Sequence, residues 1–121
     1  MAWEIVFYRD SKGKEPVVEF LNSLAVSDRA KITRLLRLLA QYGVLLKEPY
    51  TKQIKGKLRE LRITEKSGNV RVFYFGASGK KFVLLHGFIK KTAKTPIREI
   101  ETAQRRMDDF IKRYGGQDHE T

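Results

Sequence analysis

The sequence predicts a single α+β domain in which helices pack on an antiparallel sheet, in the element order β-α-α-β-β-β-α. Its 121 residues suit one domain, and a 41% share of hydrophobic residues suffices for a core. Runs rich in aromatic and β-branched residues occur near the N-terminus and again between residues 57 and 89. Other stretches repeat apolar residues at helical spacing. We expect residues 1–121 to form the domain, with a frayed tail at 117–121.

The N-terminal half predicts one strand followed by a helical hairpin. Residues 3–8 read as the strand. Pro16 suits the first position of a helix, because the N–H at that position forms no hydrogen bond within the helix. Ser27 is expected to cap a second helix, which Gly43 ends. The apolar stripes of the two helices are Val17, Phe20, Leu21 and Leu24, then Ile32, Leu35, Leu36, Leu39 and Tyr42.

The C-terminal half predicts an antiparallel meander and a last helix. Residues 44–55 read as a connector. Short loops that contain glycine, at 66–69 and 77–80, separate three strand-like segments at 57–65, 70–75 and 82–89. Thr95 is expected to cap the final helix with Pro96 at its first position. The helical period continues from Ile97 to Tyr114, and Gly115 and Gly116 follow.

The charge balance indicates a polyanionic partner. Lysine and arginine number 25 against 14 acidic residues, a formal net charge of +11. Such a balance favours nucleic acid over an anionic membrane or an acidic protein. Cysteine is absent, which removes thiolate chemistry and fits a reducing cytoplasm. No apolar run is long enough to cross a bilayer, and no signal peptide is recognisable, so we expect a cytoplasmic protein without a membrane partner.

Common cofactor sites have no counterpart in the sequence. No glycine-rich phosphate loop opens a helix, since Gly76 and Gly79 belong to a hairpin. His86 and His119 are far apart and have no carboxylates at metal-binding spacing. We therefore expect neither a metal ion nor a nucleotide cofactor.

Cations concentrate in the predicted meander. Alternation along its first strand turns Leu61 and Ile63 toward the helices and leaves Glu60 and Arg62 on a face that looks outward. On the second strand Arg71 shares a face with Phe73 and Phe75. On the third, alternation groups His86 and Lys90 with Phe82, Leu84 and Phe88. Basic groups interleaved with aromatic rings suit single-stranded nucleic acid, which offers phosphates and bases together. The basic residues are Lys52, Lys55, Lys57, Arg59, Arg62, Lys66, Arg71, Lys80, Lys81, Lys90, Lys91, Lys94 and Arg98.

Such a surface could cleave RNA through attack of the ribose 2′-OH on the neighbouring phosphate. The reaction needs a proton acceptor and cations that stabilise the added negative charge. Arginine suits the phosphate because its planar fork can bond two oxygens. Glu60, His86 and a desolvated lysine are the candidates for proton transfer.

Each candidate also has an ordinary structural reading. Glu60 and Arg62 could form a cross-strand surface pair. Arg71 could pair with a buried carboxylate, although we favour a functional surface. His86 could be a hydrogen-bonded core residue. Lys90 and Lys91 could protect a strand end, Lys94 could be plain loop, and the aromatic residues could be core.

Several runs resemble the phage-derived, HigB-like branch of the RelE/ParE toxin superfamily. The most specific is Leu84 to Pro96, with its Phe-Ile-Lys-Lys-Thr-Ala-Lys-Thr-Pro segment. Further similar runs are Tyr8-Arg9-Asp10 to Pro16-Val17, Pro49-Tyr50, Glu60-Leu61-Arg62, Arg71 to Phe75, Glu99-Ile100 and Ala103. The resemblance covers nearly the whole chain.

The resemblance implies the fold described above and a metal-independent endoribonuclease that cuts mRNA, generally on the ribosome. It also implies a cognate helix-turn-helix antitoxin of the HigA type. By position, Arg62 and Arg71 would bind phosphate, Lys90 or Lys91 would bind phosphate or move protons, and His86 would have a lesser role. Glu60 joins them as a catalytic candidate. We expect further RNA contacts from Lys55, Lys57, Arg59, Lys94 and Phe73.

Two other functions stay open at this point. No tyrosine or histidine near the C-terminus occupies the catalytic place it has in some RelE or HigB enzymes, so the general acid or base is unassigned. A ParE-like inhibitor of DNA gyrase would need only a protein-binding surface. A non-enzymatic nucleic-acid-binding module would share the charge but would have no antitoxin.

Overall fold

The computed structural model describes residues 2–65 and 68–115 and confirms the predicted α+β class. Predictions for Lys66, Ser67, His119 and the tail at 117–121 lie outside the described residues. The strands are β1 (Glu4–Phe7), β2 (Thr51–Lys55), β3 (Leu58–Glu65), β4 (Gly68–Ala77) and β5 (Lys81–Lys90). The helices are α1 (Pro16–Asn22), α2 (Val26–Tyr42) and α3 (Ile97–Tyr114), and a 3-10 turn spans Gly43–Leu45.

The five strands form one mixed sheet in the order β1-β5-β4-β3-β2. Strands β2 to β5 make an antiparallel meander, which confirms the meander predicted between residues 57 and 89. Strand β1, however, pairs with β5 in parallel, with Glu4 opposite Lys81 and Phe7 opposite Leu84. The direction of this pair is set by contacts between distant segments, about which alternation within either strand carries no information.

Strand β2 lies inside the stretch that was predicted to be a connector. Its sequence, Thr-Lys-Gln-Ile-Lys, has a single apolar residue, Ile54, and only Thr51 is buried. The strand lies at the edge of the sheet, where exposed lysines discourage pairing with other chains. An edge strand of this kind lacks the apolar alternation by which strands are recognised in a sequence.

Helix α2 begins two residues before its predicted position, and helix α3 begins one residue after its predicted position. Helix α2 starts at Val26 after Ala25, so Ser27 lies in the first turn and does not cap it. Helix α3 starts at Ile97 and Pro96 is its N-cap residue, one position later than predicted. In neither helix does the N-cap residue form a side-chain hydrogen bond.

Helices cover both faces of the sheet, each over its own core. The hairpin of α1 and α2 packs over a core that includes Val17, Leu39, Leu61 and Val72. Helix α3 covers part of the opposite face through Ala103, Met107 and Phe110, which contact Phe75 and Leu85 among others. The expectation that this second face looks outward is therefore correct only for the part that α3 leaves uncovered.

A β-bulge in β5 reverses the alternation of that strand. Tyr74 pairs with Leu84 and Phe73 pairs with His86, so Leu85 is an extra residue between them. Before the bulge, Leu84 packs with the α1–α2 core, and after it Phe88 packs with the α3 core. The prediction that His86 shares a face with Phe82 and Leu84 is wrong, because one inserted residue turns every following side chain to the other side.

None of the helices in the described part of the chain has both the length and the apolar character needed to span a bilayer.

Candidate functional site

Pairing across the meander places the predicted site residues on the α3 side of the sheet. Residues directly opposite each other in neighbouring strands share a face. One row across the strands consists of Lys52, Glu60, Phe73 and His86, and the next of Arg62, Arg71 and Phe88. A third row consists of Thr64, Asn69 and Lys90. The sheet topology thus brings together cations and one carboxylate that lie far apart in the sequence, between residues 52 and 90.

The centre of this surface is a carboxylate between two guanidinium groups. Glu60 Oε1 lies 3.5 Å from Arg62 Nε and 3.6 Å from Arg71 Nε. Glu60 is only 2% exposed and Arg71 only 4%. We refer to Glu60, Arg62 and Arg71, with Lys52 and Lys90 at the margin, as the Glu60 cluster.

Two polar atoms of the cluster have no hydrogen-bond partner among the described residues, namely Glu60 Oε2 and Arg71 Nε. Arg71 instead uses Nη1, which donates to the carbonyl oxygens of Val70 at 3.2 Å and Ile63 at 3.5 Å. A buried polar atom without a partner costs about 1–3 kcal/mol. The cluster therefore retains one hydrogen-bond acceptor and one donor without partners, and this lowers the stability of the fold.

The environment of the cluster shifts both of its buried charges toward neutrality. Burial raises the pKa of Glu60 above its ordinary value, and the positive charges of Arg71, Arg62, Lys90 and Lys52 oppose that rise. Burial likewise lowers the pKa of Arg71, against the attraction of Glu60. A carboxylate with a raised pKa accepts a proton more readily than an exposed one near neutral pH.

Arg62 is the accessible guanidinium of the cluster. Its side chain is 28% exposed, Lys52 is exposed and Lys90 is half-buried. Arg71, for which we favoured a functional surface, instead pairs with a buried carboxylate. An incoming anion can therefore reach Arg62 and Lys52, while Arg71 contacts Glu60 from the buried side.

His86 links the sheet to α3 through both ring nitrogens. Arg106 Nη1 donates to His86 Nδ1 at 3.1 Å and to the carbonyl oxygen of Leu85 at 2.9 Å. Because Arg106 can only donate, Nδ1 is the acceptor, and Nε2–H donates to Glu99 Oε1 at 2.7 Å. Burial lowers the pKa of His86, although the hydrogen bond to Glu99 opposes this. With both nitrogens occupied, the ring holds α3 in place and has no free nitrogen for a substrate.

Two of the expected RNA contacts are not on the accessible part of this surface. Phe73 is fully buried, with its ring 5.2 Å from that of Phe88 and 6.4 Å from that of His86, so no base can stack on it. Arg59 bonds Thr51 Oγ1 at 3.3 Å and lines a cavity with Tyr74 on the side of the α1–α2 hairpin.

The remaining expected contacts are exposed lysines around the surface. Lys55 and Lys57 flank the β2–β3 turn, and Lys91 and Lys94 lie between β5 and α3. Within the Lys90–Lys91 pair, Lys90 is the one whose charge acts on Glu60.

Sequence reasoning did not name Arg106, mentioned Glu99 only as part of the family resemblance, and counted Lys52 only among the basic residues of the meander. Lys52 reaches the cluster only because β2 exists, and β2 has a weak strand pattern. Glu99 and Arg106 are seven residues apart in a helical stretch, which places them on one face beside the apolar stripe. That spacing, together with a histidine in an apolar strand, could have predicted a buried hydrogen-bonded contact between β5 and α3.

Metal-binding side chains are not gathered anywhere in the described ranges. Across residues 2–65 and 68–115, no three histidine or acidic side chains come together in a way that could hold a metal ion. The Glu60 cluster itself contains one carboxylate and four cations.

A match to a known protein family supports the toxin-group resemblance, although not the HigB-like branch in particular. The family described as "Phage derived protein Gp49-like (DUF891)" matches residues 19–108, a segment that contains the whole Glu60 cluster. This family is part of the RelE/HigB-like toxin group. No curated protein matches the chain. The chain therefore belongs to the Gp49-like family of phage-derived proteins, which is a family of the toxin type.

Proposed function

We propose that this protein is the toxin of a type II toxin–antitoxin pair and that it is an endoribonuclease that cuts mRNA on the ribosome. The observation that carries the proposal is the buried carboxylate of Glu60 between Arg62 and Arg71, beside Lys90 and Lys52. Membership of a toxin-type family and a net charge of +11 support it.

In the proposed reaction Glu60 is the general base. The ribose 2′-oxygen forms a bond to the adjacent phosphorus, and its proton passes to the Glu60 carboxylate. The bond from phosphorus to the 5′-oxygen of the next nucleotide breaks, which leaves a 2′,3′-cyclic phosphate and a 5′-hydroxyl. The 5′-oxygen takes up a proton, for which the Lys90 ammonium is our candidate donor. The raised pKa of Glu60 suits the first transfer.

The cations of the cluster stabilise the negative charge that develops on phosphorus. Arg62 binds the phosphate directly because it is the accessible guanidinium, and Lys90 adds a second positive charge. Arg71 positions Glu60 through the buried contact. His86 acts at a distance, since it anchors α3 beside the surface.

The proposed partners are mRNA on the ribosome and a helix-turn-helix antitoxin of the HigA type. The antitoxin follows from the toxin-type family, and its HigA character from the resemblance of the Leu84–Pro96 run. We propose the whole chain as one functional domain, because the matched segment runs from α1 into α3 without interruption.

The decisive experiment is mRNA cleavage in a purified translation system, with and without ribosomes, by the wild type and the Glu60→Gln and Arg62→Ala variants. We expect ribosome-dependent cuts that fall by about 100-fold or more in each variant. Lys12→Ala is the control, because it removes an exposed positive charge from the loop between β1 and α1 and should leave the rate unchanged. Arg71→Ala is less informative, since it leaves a buried carboxylate unpaired and costs about 3–5 kcal/mol of stability.

The outcomes separate the alternatives. Cuts that persist in both variants would keep the nuclease and move its active site elsewhere. Growth arrest on expression without any cleavage would contradict the nuclease and favour inhibition of DNA gyrase. Absence of both effects, with RNA binding retained, would leave a binding module.

A further inference from the structure

A groove of about 350 Å³ opens between α2 and the end of β3. Its walls include Arg34, Leu35, Leu38, Tyr50, Arg62 and Thr64. We call it the α2–β3 groove. Strand β2 begins only at Thr51, so beyond Leu61 strand β3 pairs with β4 on one side and has no strand on the other. At that open edge the Tyr50 carbonyl oxygen accepts from the Arg62 amide at 2.9 Å.

The lining of the groove combines a flat apolar surface with cations. Tyr50 is 47% exposed, and Leu38 is half-buried beside the buried Leu35. Arg34 comes from the helix and Arg62 from the strand, so guanidinium groups lie on both walls. No carboxylate from the described part of the chain lines the groove. A ligand that fits must therefore offer a flat ring and a negative charge, as a nucleotide does.

The groove lies on the α2 side of the sheet and the Glu60 cluster on the α3 side, and the two share Arg62. Arg62 lies just beyond the part of β3 that pairs with β2, and its Nε is 3.5 Å from Glu60 Oε1. An RNA chain whose scissile phosphate sits at the cluster can thus reach the groove by passing over this edge of β3. The groove volume lies at the lower end of the range for small-ligand pockets, which suits one nucleotide and not a folded element.

We propose that the α2–β3 groove binds the nucleotide next to the scissile phosphate of single-stranded RNA. The base stacks on Tyr50 over Leu38, and the phosphate lies between Arg34 and Arg62. This inference rests on the proposed function and adds a second subsite to it. It assigns RNA-binding roles to Tyr50 and Arg34, which lie outside the meander strands.

The test uses the purified full-length protein and a fluorescein-labelled 2′-O-methyl RNA decamer, which binds but lacks the attacking hydroxyl. Fluorescence anisotropy measures the Kd for the wild type and for Tyr50→Ala, Tyr50→Phe and Arg34→Ala. Loss of a stacking platform or of a phosphate contact should weaken binding by about tenfold. Tyr50→Phe should bind like the wild type, because the ring and not the hydroxyl is used.

Helix α2 provides a matched control for each of the two tested residues. Tyr42 is also 47% exposed and does not line the groove, so Tyr42→Ala removes an equivalent ring. Arg37 lies one turn after Arg34, and both line a second cavity on the outer face of α2. Only Arg34 also lines the groove, so Arg37→Ala removes an equivalent charge from outside the groove. Both controls should change the Kd by less than about twofold.

A series of decamers with one abasic position each locates the stacked base. In the wild type, one position should weaken binding by about tenfold, and Tyr50→Ala should be insensitive to that position. The inference is overturned if Tyr50→Ala and Arg34→Ala bind like their controls. It is also overturned if they keep RNA binding but escape neutralisation by the antitoxin, because the groove would then hold an acidic peptide. Failure of the wild type to bind or cut any RNA would instead overturn the proposed function itself.

Discussion

Glu60 and Arg71 form a buried ion pair that adds little stability, and burial raises the basicity of its carboxylate. Each is almost fully buried, and each retains a polar atom without a hydrogen-bond partner in the described part of the chain. Desolvation of an ion pair offsets much of its attraction, so the pair adds little net stability. Its value lies in a carboxylate whose pKa is raised by burial and whose second oxygen is unused. In the function that we propose, this carboxylate accepts the proton of the 2′-OH once a phosphate displaces it from Arg62.

His86 leads to a prediction about pH and stability. Burial lowers its pKa from the ordinary value of 6.5, so the unfolded chain binds the proton more readily than the folded chain. The stability contributed by the neutral ring is complete above pH 6.5 and is lost as the pH falls through the lowered pKa. We expect the free energy of unfolding to decrease from pH 7.5 to 5.5, by at most about 1.4 kcal/mol per pH unit for this one proton.

The measurement is urea unfolding at several pH values, followed by circular dichroism, for the wild type and His86→Gln. Glutamine can still accept from Arg106 and donate to Glu99 but does not titrate. The variant should therefore show a flatter dependence on pH, and the contribution of His119, present in both proteins, cancels in the comparison. Equal slopes for the two proteins would contradict a neutral, buried His86.

At the scale of elements, the surface of the cluster depends on how helices are attached to the two faces of the sheet. Helix α3 is held at its start by Glu99, which accepts from His86, and near its end by Asp109, which accepts from Tyr8 at 2.6 Å. Between these polar contacts the apolar residues of α3 pack on β4 and β5. The helix therefore covers one part of the face and leaves the Glu60 cluster open through Arg62.

The contact of α1 with β5 gives a prediction about Gly87. A Cβ at this position would lie 2.3 Å from Phe20 Cδ2, so the helix approaches the strand only because residue 87 has no side chain. We expect Gly87→Ala to reduce the free energy of unfolding by about 1–3 kcal/mol through overpacking. Gly76→Ala is the matched control, because its Cβ would be at an ordinary 3.6 Å from Phe82 Cε1.

Denaturant unfolding of both variants makes this measurement. Gly76→Ala should stay within about 0.5 kcal/mol of the wild type, since the new methyl group meets no obstacle. Replacing Phe20 with leucine should recover part of the loss in Gly87→Ala, because the pair is in direct contact. Equal destabilisation by the two glycine substitutions would show that Phe20 does not limit the approach of α1.

At the scale of the whole molecule, positive charge is distributed beyond the cluster. The Glu60 cluster, the α2–β3 groove and the outer face of α2, with Arg29, Arg34 and Arg37, all carry an excess of cations. With a net charge of +11, the positive side chains repel one another, and the molecule as a whole attracts polyanions. Under the proposed function, affinity for RNA should therefore come largely from released counterions, and the Glu60 cluster would select the phosphate that is cut.

The salt dependence of binding tests this division. For a non-cleavable single-stranded RNA decamer, the logarithm of the association constant should fall linearly with the logarithm of salt concentration. Four phosphate contacts would give a slope of about −3, and Arg62→Ala should reduce its magnitude by about 0.7. Lys12→Ala, with its charge on the loop between β1 and α1, should leave the slope unchanged. An affinity that does not vary with salt would exclude a phosphate-based interaction.

Much of the fold and part of the candidate site could be predicted before the structure was known. The apolar stripes of α1, α2 and α3 and the three central strands follow from periodicities within each segment. Glu60, Arg62 and Lys90 were predicted together because basic residues alternate with apolar ones along β3 and β5. The partners of His86, the place of Lys52 and the burial of Phe73 and Arg71 could not be predicted, because each depends on a neighbour distant in the chain.

The sequence by itself determined that this protein is a basic α+β domain, because composition and local periodicity are properties of short segments. Only the tertiary structure decided that β1 runs parallel to β5 and that Leu85 forms a bulge which turns His86 toward α3. It also decided that Arg71 is buried against Glu60 while Arg62 stays accessible. These features depend on the register between strands and on burial. Both are set by contacts across the whole chain, and the period of a single strand carries no information about them.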